Sequence, residues 1–538
     1  MRLARAVYLA VANACLLLVL TAVSQHQPSA GDPEKFGRVD FPISCDASVQ
    51  APFNRAVAIL HSFGYEKAAE AFTEVAEADP ACGMAYWGLA MTYYHPVWEA
   101  PNPAALKLGW AAVEKAKSAG AKTQRERDYI AAVEVFYEDS GTLDHRARAV
   151  GYETAMEQLH ARYPDDMEAA IFYALAVRGN ALPSDKTYAA QRKAGAILER
   201  AFAKQPDHPG LAHYIIHCYD YPTLADRALP AARRYAQIAP DSPHALHMPS
   251  HIFTRLGYWK ESIESNLASA AAARKDSMTG EQLHAMDYMM YAYLQGAQDA
   301  EARKLFDAMP SPRPSEPSYF AGLYATASMP ARYAVERHHW QEAAAIAVPQ
   351  DIFPGGRYAW TEANIYFARA LGAARMNGTG AAQKSLQQLT SLRDTMVQAN
   401  DKYWAEQLDI QREIVTAWLV WADGRRVDAL RQMRCAADHE DSTDKHAVTP
   451  GVVVPARELL GEMLLEADQP AQALVEFEAT LRTAPNRFNT LAGAARSAQL
   501  LGDREKAKSY YSRLLVNCGP ASGDRPELEA AKTYLANN

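Results

Sequence analysis

An all-α solenoid, a superhelix of stacked antiparallel helix pairs, is the fold class that this 538-residue sequence predicts. Three observations carry it: a recurring landmark spacing, helical periodicity between the landmarks, and almost no strand patterning. Alanine, a bulky apolar residue four places on and proline eight further occur together as Ala68, Phe72 and Pro80, as Ala194, Leu198 and Pro206, and as Ala473, Phe477 and Pro485. Ala228 and Pro240 repeat the ends. Ala194, Ala228 and Ser262 are each 34 residues apart, as are Ala473 and Ala507, while the period stretches to 41 from Ala302 to Ala343 and to 44 from Ala429 to Ala473. Such a period means units that bury their apolar faces only against their neighbours, so roughly ten helix pairs are expected. Apolar spacing over 126–136 and 407–421 fits amphipathic helices. Only 451–454 reads as strand, and it is too short to found a sheet.

Taken in order, Arg2 and Arg5 precede an apolar run over 6–23, and Ala22, Val23 and Ser24 supply small residues for cleavage, so 1–24 reads as an export signal. The protein is then exported, periplasmic or secreted, and touches a membrane only if that signal stays uncleaved. Residues 25–50, broken by Pro28, Pro33 and Pro42, read as a linker or N-terminal arm. Residues 51–308 form an N-terminal array, 309–440 degenerate helical repeats, 441–455 a loop and 456–538 the C-terminal repeats. The longest breaks, rich in proline or glycine, are 95–103, 309–317, 348–356 and 439–455. A formal charge of -8 provides no basic field for a phosphate backbone, so nucleic acid is not an expected partner. The six cysteines include no C-x-x-C pair, and Cys45 with Cys82 is one candidate disulfide. Loss of Cys15 with the signal leaves an odd number.

Between the landmarks, Tyr86-x2-Leu89-Ala90-x2-Tyr93 and Ala212-x2-Ile215-Ile216-x2-Tyr219 follow the pattern W-x2-L-G-x2-Y in relaxed form. The chain resembles the tetratricopeptide repeat (TPR) family, with clear units over about half its length, and is similar to an exported bacterial-type member with a histidine-rich groove. The resemblance implies a superhelix whose first helices line a concave face, and a peptide, protein or small molecule as partner on that face.

Histidine makes the sharpest local pattern. Of sixteen histidines, six fall between 208 and 251. His213 and His217 are four apart, His247 and His251 are four apart, and each stands 34 residues from its counterpart. Residues four apart share a helix face and packed helices lie ~8–10 Å apart, so the four imidazoles can converge. Imidazole suits copper, zinc, iron and nickel, which makes these four the expected ligands of a transition metal. Asp220 extends the first face as a ligand or as a partner that fixes an imidazole tautomer. His244 leads the second face, and His284 and Asp287 are candidates from the next helix. Pro249 lies inside the helix that begins at Pro243 and is expected to kink it. Ser328 to Arg332 repeats that segment, placing Arg332 level with His251 as an anion-binding candidate. The TPR register also puts Glu458, Glu462 and Arg496 in the groove, where they favour a peptide or protein.

His446, in the 439–455 loop, reads as a solvated histidine, although that loop has the length to fold back as a lid. A closed groove favours a small ligand and an open one favours a peptide. G-x-S-x-G, phosphate-loop, G-x-G-x-x-G and H-E-x-x-H signatures are absent. Three functions follow: binding of a transition metal and a small ligand at the histidines, a metal-independent peptide or protein scaffold, and a metal-dependent enzyme on the same frame.

Overall fold

The computed structural model describes residues 34–98, 100–314, 318–349, 351–519 and 525–537. The expected export signal and Cys15 lie outside these residues. The described residues are helical with no strand, and 451–454 is irregular chain. Helices pack mainly against the next in sequence, as Gln50–His61 with Tyr65–Ala78, Pro209–Tyr219 with Ala225–Ile238, and Pro470–Thr483 with Phe488–Leu500. The fold is a TPR-like α-solenoid. The 126–136 and 407–421 segments lie inside the helices Gln124–Tyr137 and Lys402–Ala422.

Landmark positions form the seams: Ala68, Ala194, Ala228 and Ala473 are fully buried, because the small side chain lets neighbouring helices close on bulky residues such as Phe72, Leu198 and Phe477. The segment from Phe36 to Val49 lies on the first pairs, where Phe41 packs edge-on against Phe53 and Trp87. Cys45 and Cys82 form a disulfide, while Cys218, Cys435 and Cys518 are free.

Later repeats return against the middle of the array. Trp259 Nε1 donates to the Asn486 carbonyl, Gln295 Oε1 accepts from the Phe488 amide, and Arg525 pairs with Asp299. Arg487 is sealed between Glu336 (2.7 Å) and Glu458 (2.8 Å) and also donates to the Tyr291 hydroxyl. Tertiary closure therefore consumes charges that a simple repeat register leaves in the groove.

The 443–455 loop closes the remaining space. At its base, Glu440 on the helix Arg426–Ser442 accepts a hydrogen bond from the Ala456 amide (2.9 Å), joining the two ends of the loop. Burial pushes the Glu440 carboxyl up to about 8, against an ordinary value of 4.5. A carboxyl with a raised folded-state pKa contributes stability that is present below the unfolded pKa and is lost as pH rises through the folded one. Glu440→Gln, which keeps the oxygen acceptor, is expected to change melting little at pH 4 and to stabilise the chain by roughly 4 kcal/mol at pH 8.5. Calorimetric melts at the two pH values check this.

Candidate metal centre

The helix Pro209–Tyr219 starts on a proline whose missing N–H is one of the unpaired first-turn donors anyway, and it carries His213 and His217 on one face. Gly210 lets the helix approach His61, since a Cβ there would stand 2.6 Å from His61 Nδ1. Ser242 caps the next first helix by accepting from the Ala245 amide (3.2 Å). Pro249, lacking an N–H, splits that helix into Pro243–His247 and Pro249–Leu256. The helix is interrupted at Met248, and His247 and His251 on either side of the break stand with their Nε2 atoms 3.0 Å apart.

The candidate ligands separate into two triads, His213 with His217 and His244, and His247 with His251 and His284, each with ligand atoms within 4.8 Å of one another. Each takes two histidines from one first helix or its split equivalent and a third from the next. All six side chains are buried. Phe63 lies against the first triad, with its ring 4.4 Å from that of His213, and Trp98 meets His284 edge-on at 5.4 Å.

Outer hydrogen bonds set the tautomers. His213 Nδ1 donates to the His61 carbonyl (2.6 Å), and His244 Nδ1 faces Glu281 Oε2 at 3.5 Å. His247 Nδ1 donates to Asn266 Oδ1 (2.6 Å), and the Asn266 amide is oriented by its own donation to the Ser262 carbonyl (2.7 Å). His251 Nδ1 donates to Asp220 Oδ2 (2.9 Å). In the His213, His247 and His251 rings the proton sits on Nδ1 and Nε2 carries a lone pair. His244 Nε2 nevertheless faces His213 Nε2 at 3.1 Å, and His247 Nε2 faces His251 Nε2 at 3.0 Å. The first pair closes as a hydrogen bond when His244 carries its proton on Nε2, whereas the lone pairs of His247 and His251, whose Nδ1 protons are both committed outwards, repel unless a cation lies between them. The third member of each triad has spare capacity: His217 Nε2 and both nitrogens of His284 are buried without a hydrogen-bond partner.

Burial, helped by neighbouring imidazoles, holds His213, His217 and His247 well below their usual pKa, and takes His251 to about 4 and His284 to about 3. Neutral imidazole is the form that binds metal. Burial would raise the Asp220 carboxyl, but Lys445, Arg255 and the His251 bond outweigh it and hold that group well below the ordinary range. Asp220 thus orients His251 while ion-paired with Arg255 (2.8 Å) and Lys445 (2.9 Å). Cys218 packs into the core, its thiol pushed up to about 12 by burial.

A second network braces the first triad from outside. Glu168 bridges His61 and His208 at 2.9 Å each, and His61 Nδ1 pairs with the Tyr214 hydroxyl (2.9 Å). Here a carboxylate fills the space between imidazoles. The His61 carbonyl that orients His213 is thereby fixed.

The remaining candidates have other partners. Asp287 accepts from Ser328 Oγ (2.7 Å) and from Arg332 Nε (3.1 Å), one turn away from the His284 ring. Arg332 is fully buried and donates to the carbonyls of Gly451 (2.6 Å) and Val452 (2.7 Å) and to Thr449 Oγ1 (2.9 Å). It fastens the loop. Tyr288 donates to the Thr449 carbonyl (3.0 Å) while lying 3.2 Å from His251 Nδ1, and Lys445 brings the loop to Asp220. His446, expected in solvent, is half-buried beside Tyr403 and Trp404, with its Nδ1 accepting from the Val448 amide. The loop covers the groove because its carbonyls are held from below. Glu458 is enclosed with Arg487, whereas Glu462, which pairs with His338 at 3.1 Å, and Arg496 line a separate cavity of about 370 Å³. Asn266, Glu281 and Lys445 were not marked by the sequence pattern.

A cavity of about 370 Å³ reaches the first triad at His244, walled by Phe63, Tyr65 and Trp98 and edged by Glu70 and Glu281. It is a route of approach for a small molecule or an ion.

No family model matches the chain, and no curated protein matches it. Among solved structures, a Naa15/Naa10 assembly bound to HypK-THB is 11% identical over 90% of this chain and 73% of that one, with a TM-score of 0.23. A human IFIT1 dimer with PPP-AAAA is 11% identical over 86% of this chain and 89% of that one, with a TM-score of 0.37.

Proposed function

We propose that this is an exported bacterial-type TPR protein that binds a transition metal, drawn from copper, zinc, iron and nickel, at the buried histidines, with a small ligand approaching through the cavity at His244. The carrying observation is the pair of buried histidine triads, in one of which the lone pairs of His247 and His251 face each other at 3.0 Å. Outer acceptors hold the Nδ1–H of His213, His247 and His251 away from the facing Nε2 atoms, and a cation is the group that satisfies the His247–His251 gap. Three imidazoles leave coordination positions open, which makes metal-assisted chemistry on a small molecule the enzymatic form of the same reading. The covered groove weighs against a metal-independent peptide scaffold, because 443–455 takes the space a peptide would need. The Cys45–Cys82 disulfide supports an oxidising compartment such as the periplasm or the exterior.

Metal that binds only the folded chain raises its melting point, by the equivalent of about 4 kcal/mol at a thousand times Kd. Melts of chelator-treated, untagged protein with each of the four metals are expected to show such a rise for at least one, reversed by chelator. No shift with any of them would overturn the reading.

A further inference from the structure

We propose that the site is dinuclear, with one ion held by His213, His217 and His244, a second by His247, His251 and His284, and cuprous copper as the ion these shells fit. This rests on the metal-binding reading above and adds the number and charge of the ions.

Two separate triads of buried imidazoles call for two cations. An ion at His213 and His244 does nothing for the facing lone pairs of His247 and His251, and each set has its own imidazole with an unpartnered nitrogen, His217 in one and His284 in the other. The sets abut. Across the boundary the rings of His217 and His251 are 6.1 Å apart and those of His244 and His247 6.2 Å, no farther than the 6.5 Å between His217 and His244 or the 6.3 Å between His251 and His284 within a set. The His61, Glu168 and His208 group is not a third site, since Glu168 already bonds both rings.

Charge selects the ion. Every ligand in the two sets is an imidazole, which brings no negative charge, and each set has one carboxylate behind it, Glu281 at His244 and Asp220 at His251. Asp220 is already paired with Arg255 and Lys445. Two divalent ions would bring four positive charges into a fully buried space with little anionic compensation, and uncompensated buried charge is costly. Two monovalent ions halve that demand. Among the metals imidazole suits, copper offers a stable monovalent state, and one that accepts three nitrogen ligands.

The test is an anaerobic titration of the untagged, metal-free full chain with cuprous ion against a chromophoric competitor, with elemental analysis of the product. Two equivalents are expected. His213→Ala with His217→Ala, and separately His247→Ala with His251→Ala, are each expected to retain one, with circular dichroism confirming the helical fold. Glutamine replaces alanine wherever the alanine pair fails to fold, and the wild-type stoichiometry stands independently of either. One equivalent in the wild type would overturn the dinuclear assignment and leave metal binding intact, whereas none with any metal would overturn both. Zinc displacing cuprous copper from both sets in equimolar competition would overturn the choice of ion.

Discussion

A chain carrying His213→Ala and His247→Ala together is expected to keep its helical content and lose its bound metal. Each substitution takes one nitrogen from a different triad, so neither set retains three ligands. Losing an outer partner of a ligating histidine typically costs 10–100-fold in metal affinity, and losing the ligand itself costs more. His247→Ala also relieves the lone-pair repulsion with His251 in the metal-free chain. The metal-free variant should therefore melt at least as high as metal-free wild type, less the packing lost from two buried rings, while metal no longer raises its melting point. Elemental analysis after gel filtration, beside melts with and without metal, reads both effects. Retention of wild-type metal would place the binding site elsewhere.

The second large effect belongs to Arg332, which lies outside both triads. Arg332→Ala is expected to destabilise the fold by about 3–5 kcal/mol, the usual cost of removing one partner of a buried ion pair. Asp287 would be left buried without its cation, and the carbonyls of Gly451 and Val452 would lose their donor. The loop should open locally before the helices do, seen as faster amide exchange over 443–455 and faster metal release to a chelator. Arg332→Lys should recover little, because an ammonium cannot serve Asp287 and the loop acceptors together as a planar guanidinium does. Unchanged exchange over 443–455 in the alanine variant would show that the loop is held by other contacts.

Much of the frame was legible because repeat spacing reports helix stacking directly. Landmark alanines at 68, 194 and 473 are fully buried, and the 34-residue offset of His213 and His217 from His247 and His251 put them on adjacent first helices. What the register could not contain was tilt. Pro249 divides its helix, and the two sets are completed by His244, one turn before the aligned position, and by His284, beyond an insertion. Arg332 illustrates the other blind spot. Its position in the pattern suggested an anion site, yet besides Asp287 its acceptors lie 117 to 120 residues away in a segment without periodicity. Glu458 was consumed in the same way by Arg487 and Glu336, a contact made only when the later repeats close on the middle. Asn266 sits on a second helix, which no groove-facing rule singles out, and its amide is nevertheless what fixes the His247 tautomer.

Diffraction from crystals of metal-loaded protein, collected on both sides of the bound metal's absorption edge, tests the central claim most directly. Anomalous peaks are expected roughly 2.0–2.1 Å from Nε2 of His213 and His244 and from Nε2 of His247 and His251, with His217 and His284 turned towards them. A metal peak confined to surface residues, with no density between the facing imidazoles, would contradict it.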